Sequence, residues 1–252
     1  MIDHYKLNLN YSNENGFKGN PGYRIYGCLM ERLPYDLGER MHENAKTPIS
    51  QNIEYNNKKG EAHWCVSSFD EELSAELDDL FKEGGEFSIE QDGIVLRTES
   101  VERTHINGFS DIRKLSESIS DSYSMTLHFR TTTALKKNGM FVPYPELELL
   151  IDNLWNQWNV VFPDNSFDDD EVLKLIKLQT SVGGYNLSSS KYRMKGATIS
   201  GFYGRLTINN RLSAPLRELL AALFTFAEFN GIGVKNALGM GKTVISDNTL
   251  LT

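Results

Sequence analysis

The chain has 252 residues, 40% of them hydrophobic, and carries a formal net charge of −8 from 26 Lys and Arg against 34 Asp and Glu. That length suits one large domain or two of about 125 residues, and the apolar content excludes wholesale disorder. Two cysteines, Cys28 and Cys65, are too few for a disulfide scaffold, and a four-ligand zinc site is not expected. No apolar run is long enough to span a membrane, and the opening MIDHYKLNLN is no signal peptide, so a soluble, cytoplasmic protein without membrane partners is expected.

Tyr5, Leu7, Leu9 and Tyr11 alternate with polar residues, the period of a half-buried strand. Asn20-Pro21 supplies an N-cap and a proline for the first helical position. The helix it opens carries Ile25, Cys28, Leu29 and Leu33, and Pro34 stops or bends it. A shorter helical piece follows over 36–42. Two strands, 47–54 and 62–69, meet across the turn-rich NNKKG. Ser68 and Glu71 have capping-box spacing. The next helix has an apolar stripe of Leu73, Leu77, Leu80 and Phe81, and Gly84-Gly85 ends it. A last hairpin turns at Asp92-Gly93. The order β-α-β-β-α-β is that of a ferredoxin-like or RRM-like unit, placed at residues 1–110.

The polar, serine-rich stretch 107–122 reads as a boundary, with a second domain at 120–252. A strand alternates Tyr123, Met125, Leu127 and Phe129, and residues 131–145 read as a proline-bounded loop. Helices carrying Leu147, Leu150, Leu154 and Trp158, then Val172, Leu173 and Ile176, come next. Two glycine-punctuated strands are expected at about 185–199 and 202–209. Ser213 and Pro215 open a strongly apolar helix that Gly231 closes, and a strand at 243–246 ends the fold. The second half thus reads as a decorated second β-α-β-β-α-β unit, without sequence repetition of the first. The expected class is α+β, two tandem ferredoxin-like domains.

An acidic chain argues against a nucleic-acid partner unless its charge is uneven, and here it is. Residues 178–245 hold eight basic side chains and two acids, while acids crowd 70–86 and 164–171. Phosphate responds to the local field. Lys191, Arg193 and Lys195 alternate with Tyr192 and Met194, so a strand would present all three on one face. That face suits an RNA stem, or guards an edge strand against aggregation.

Residues 229–245, FNGIGVKNALGMGKTVI, place Gly231, Gly233, Gly239 and Gly241 in a G-x-G-x5-G-x-G pattern after a helix. A P-loop would need glycine at Asn236 and a preceding strand. A dinucleotide turn would need it at Asn236 or Val244. Two readings remain. One is a loop whose backbone amides approach a polyanion, with Lys235 adding charge. The other is a tight helix-to-strand connection.

A terminal helix, this glycine pattern and a final strand resemble the CRISPR repeat-processing endoribonucleases, the Cas6 family. The resemblance implies two ferredoxin-like domains and a histidine just after the first helical region. In MHENAKTPIS, residues 41–50, that position is His42. It implies metal-independent RNA cleavage, in which a 2′-OH attacks the adjacent phosphate to leave a 2′,3′-cyclic phosphate and a 5′-OH. Such chemistry needs a base, an acid and a cation near phosphorus. Histidine, with an ordinary pKa near ~6.5, can move either proton. Lys46 is the candidate for the phosphorane charge, and Tyr23 and Tyr26 for orienting groups. The other reading of His42 is a helix-terminal residue that complements the dipole. His63 is a reserve candidate, and His4, His105 and His128 read as structural or solvated.

The implied RNA-binding residues are Lys191, Arg193, Lys195, Gly231, Gly233, Lys235, Gly239 and Gly241. The implied partner is CRISPR precursor repeat RNA, with other CRISPR effector subunits and a homodimer left open, and no metal or cofactor. The alternative function is a non-catalytic repeat-RNA-binding subunit.

Overall fold

In the computed structural model, residues 1–11, 16–43, 47–194 and 196–247 are described, the side chains of His42 and Glu43 excepted. The chain divides into two compact units: Met1–His105 with Asn236–Gly239, and Ile106–Lys235 with Met240–Thr252.

The first unit runs β1 (Ile2–Tyr11), α1 (Gly22–Met30), α2 (Tyr35–Glu43), β2 (Ile49–Asn56), β3 (Glu61–Ser68), α3 (Glu71–Leu80), β4 (Glu86–Ile89) and β5 (Ile94–Ile106). Its sheet has the order β2-β3-β1-β5-β4. Antiparallel register sets Tyr5 across from Val66 and Leu7 across from Trp64. These residues face the helices, where Ile25, Leu29, Leu37, Met41, Leu73 and Leu77 complete one buried cluster. Trp64 packs edge-on against Phe81 and Phe87, each with ring centroids 5.2 Å away. Pairs of that geometry add about 0.5–1.5 kcal/mol beyond area burial.

The start of α3 differs from the capping box expected at Ser68. Ser68 is still strand, paired with both Asp3 and Ile49. The N-cap is Asp70, whose carboxylate accepts from Leu73 N at 2.9 Å. Strand pairing outcompetes the local motif, and the cap moves two residues on. At α1, Asn20 Oδ1 accepts from Gly22 N at 2.8 Å, with Pro21 just outside the helix.

The second unit comprises α4 (Phe109–Leu115), β6 (Ser124–Thr133), β7 (Leu135–Lys137), β8 (Met140–Val142), α5 (Leu147–Val161), α6 (Asp170–Leu178), β9 (Thr180–Met194), β10 (Ala197–Asn210), α7 (Ala214–Asn230) and β11 (Thr243–Asp247). Its sheet has the order β11-β6-β10-β9, with the first and third main strands in the middle. Both units are ferredoxin-like, and the class is α+β. No helix among the described residues is long and apolar enough to cross a membrane.

The stretch 107–122, read as a boundary, begins just after the division at His105/Ile106 and contains α4, which buries Ile112 and pairs Arg113 with Glu218 of α7. Two local expectations are corrected here. The 131–145 loop contains a small hairpin, β7–β8. β9 begins at Thr180, five residues earlier than expected. It is an edge strand exposed on both faces over its first half, with Tyr185 75% exposed, so no alternation marks its start.

Candidate functional site

His42 falls in the last turn of α2, with its side chain outside the description, and Lys46 lies outside the described residues. The two tyrosines on α1 part company. Tyr23 is half-buried, whereas Tyr26 is 8% exposed and belongs to the core cluster. Burial pushes the Tyr26 hydroxyl pKa above its ordinary value, which suits a core residue and not a proton donor near neutrality.

The other histidines of the first unit lie on its strands. His63 alternates with the buried Trp64 on β3, so it points to the sheet face opposite the helices, where its Nδ1 meets Asn8 Oδ1 at 2.8 Å. His4 is buried, with Nδ1 2.9 Å from Ser67 Oγ. His105 Nδ1 lies 2.8 Å from the buried carboxylate of Asp3. His128 is half-buried on β6.

Lys191 and Arg193 are exposed on one face of β9, and Tyr192 between them is buried. Their β10 neighbours are Ser200 and Thr198. Arg205 is also exposed on β10, and the hairpin from 180 to 210 contains no acid. No acid within the hairpin offsets these cations. Lys195 lies outside the described residues.

The glycine segment is built differently from an open cradle of amides. Gly231 N donates to Ala227 O at 2.8 Å, Gly239 N to Asn236 O at 3.1 Å and Gly241 N to Thr132 O at 3.1 Å. Gly233 N donates to Asn153 Oδ1 at 2.8 Å. All four glycines are buried and all four amides are taken, so the expected anion nest is absent at these positions. Close approach explains the residue type at Gly233. Its φ is +90°, and a Cβ there would lie 2.2 Å from Ala134 O. Lys235, at φ +61°, is the one exposed side chain of residues 231–241.

Carboxamides hold this segment in place. In the second unit, Gln157 Nε2 reaches Gly233 O at 3.3 Å, and Asn230 Nδ2 donates to Gln157 Oε1 and, at 3.0 Å, to Gly231 O. Asn153 and Gln157 are four apart on α5 and so share a face. In the first unit, Gln51 Nε2 donates to Ala237 O at 3.0 Å. Sequence reasoning missed all four amides. The available signal was polar residues at core-facing positions: Gln51 between Ile49 and Ile53, and Gln157 beside Trp158. Among the described residues, no three His, Cys, Asp or Glu side chains gather as a metal site.

The family model for the CRISPR-associated endoribonuclease Cas6 matches residues 127–243, from β6 through the glycine segment to the first residue of β11. The CRISPR-associated endoribonuclease Cas6 of Streptococcus thermophilus is 23% identical over 86% of this chain and 88% of its own length. Over residues 127–243, just under half of its length, this chain matches the Cas6 family. The Mycobacterium tuberculosis Cas6 is likewise 23% identical, over 87% of this chain and 70% of that one. Among solved structures, a Cas6 product complex superposes with a TM-score of 0.75 at 21% identity, covering 98% of this chain and 99% of that one. Thermus thermophilus Cas6 gives 0.74 at 20% identity, with 98% of each chain covered. A Cas6 substrate-mimic complex gives 0.69 at 23% identity, covering 97% of this chain and 99% of that one. The Cas6 fold thus extends over both units, including α1 and α2, which the family model does not reach.

Proposed function

We propose that the protein is an endoribonuclease that binds CRISPR repeat RNA in a precursor transcript and cuts it without metal. The observation that carries this reading is the segment 231–241. It joins α7 to β11 with its glycines buried and Lys235 exposed, inside the stretch matched by the Cas6 family model. The acid-free, cationic hairpin β9–β10 lies in the same stretch and offers phosphate contacts.

In the proposed reaction the 2′-oxygen bonds to the adjacent phosphorus and the bond from phosphorus to the 5′-oxygen breaks. The 2′-OH proton goes to a base, and the leaving oxygen takes one from an acid. His42 is the candidate for one of these transfers, and Lys46 for neutralising charge on phosphorus. Tyr23 remains a candidate for orienting the phosphate. Other CRISPR effector subunits and a second copy of the chain are further candidate partners.

The test is single-turnover cleavage of a synthetic repeat RNA in EDTA. Full activity, a 2′,3′-cyclic phosphate end and no cutting of a substrate with 2′-deoxy before the cut are expected. Activity that vanishes in EDTA and returns with Mg²⁺ would overturn the mechanism. Tight binding with no cleavage under any condition would reassign the protein as a non-catalytic RNA-binding subunit.

A further inference from the structure

Gln51 stands on β2 where the pattern calls for an apolar residue. Ile49 and Ile53 flank it on the same face, and its register partner is the fully buried Val66. At 3% exposure its amide has almost no access to water, so its polar contacts must come from the protein. Nε2 donates to Gly22 O at 2.8 Å and to Ala237 O at 3.0 Å, and Oε1 accepts from Trp64 Nε1 at 3.0 Å. Both donors of the amide are used, each on a backbone carbonyl.

The two carbonyls belong to the ends of the proposed machinery that lie in this unit. Gly22 is the first residue of α1, the helix that carries Tyr23. Ala237 is the middle of the 3₁₀ turn Asn236–Leu238, which directly follows Lys235. The backbones approach closely here as well. A Cβ on Gly22 would lie 2.5 Å from Leu238 O and 3.2 Å from Gly239 Cα. The first unit therefore holds residues 236–239 through one side chain and one bare backbone approach.

We infer that Gln51 is a positioning residue: its buried amide ties the start of α1 to residues 236–239 and so fixes the end of the glycine segment that carries Lys235. The inference rests on the proposed RNA-processing function and adds a residue to it. Gln51 touches no RNA. It acts through the two carbonyls it holds.

Two substitutions attack the junction from opposite sides. Gln51→Glu removes both donors, and its ionised form would face two carbonyl oxygens. Burial raises such a carboxyl's pKa, and the protonated form can donate to one carbonyl. Gly22→Ala leaves Gln51 intact and favours helix, yet its methyl group collides with Leu238 O. The readouts are single-turnover cleavage and affinity for a synthetic CRISPR repeat RNA, hydrogen exchange at amides 236–239, and thermal melting.

At pH 8, Gln51→Glu should cut about tenfold or more slowly than wild type, as expected when two buried hydrogen bonds are removed. Its ratio to wild type should climb at least about threefold at pH 5.5 as the carboxyl protonates. Taking the ratio at each pH cancels the wild type's own profile. Gly22→Ala should be slowed by a similar factor at both pH values, with an intact melt and faster exchange at 236–239. The inference is overturned if the Gln51→Glu ratio is flat with pH, or if Gly22→Ala binds and cuts like wild type. It is also overturned if both variants lose only melting temperature. Wild type that neither binds nor cuts the repeat would instead defeat the functional reading, a failure visible before any variant is made.

Discussion

At the scale of single residues, candidates of one chemical type separate by burial. Tyr26 fills the core of the first unit, so Tyr26→Phe should leave RNA cleavage within about threefold of wild type. Tyr26→Ala should instead lower stability by about 3–5 kcal/mol, the range for emptying a buried aromatic site, measured by urea unfolding. A large catalytic defect in Tyr26→Phe with an unchanged melt would return the hydroxyl to the mechanism. His42 is argued from its place in the last turn of α2 and from the Cas6 resemblance. His42→Ala should cut a repeat RNA at least about a hundredfold more slowly, the typical cost of losing one acid–base group. Affinity should stay within a few-fold, because a neutral imidazole adds little to phosphate attraction. Near-wild-type cleavage would remove His42 from the chemistry.

At the scale of elements, the hairpin β9–β10 concentrates what the net charge conceals. The whole chain is at −8, yet the hairpin has no acid and exposes Lys191, Arg193 and Arg205. A cation that pairs with a phosphate of single-stranded or duplex nucleic acid steepens the salt dependence of binding by roughly 0.7–0.9. Replacing Lys191 and Arg193 together by Ala should therefore reduce the slope of log affinity against log salt by about 1.4–1.8. Titration of repeat RNA at several salt concentrations checks this. An unchanged slope would exclude Lys191 and Arg193 as phosphate contacts and leave Arg205 and Lys235 as exposed candidates among the described residues.

At the scale of the whole molecule, acid stability depends on a carboxylate buried at the start of β1. Asp3 is fully buried. Burial alone would raise its pKa. Hydrogen bonds from His105, Ser74 and Arg103, with the charge of Arg103, outweigh burial and hold it below the ordinary value. A carboxyl depressed in the folded state stabilises the fold above its unfolded pKa of about 3.9, and loses that contribution as pH falls through the folded value. Asp3→Asn should therefore be clearly less stable than wild type at pH 7, and the gap should narrow below about pH 4. Urea unfolding at pH 7 and pH 3 measures it. A gap independent of pH would mean that packing, and not the charge, is what the substitution removes.

The sequence by itself determined the order of elements wherever one face is buried. Tyr5, Leu7 and Leu9 mark β1, and Leu73 and Leu77 mark α3, because burial on a sheet or helix face repeats at a local period. It marked the glycine segment too, since close backbone approach at Gly233 admits no side chain. It misled where a local signal met a stronger distant one, as at Ser68, and was silent where exposure erased the period, as at the start of β9. What the glycines do was decided only in three dimensions. Their amides are taken by acceptors the chain delivers from elsewhere, such as Asn153, 80 residues from Gly233. Gln51 and Ala237 are 186 residues apart, and nothing in either neighbourhood names the other. A side chain's hydrogen-bond partner follows from which backbones the fold brings within 3 Å or so, and periodicity carries no record of that.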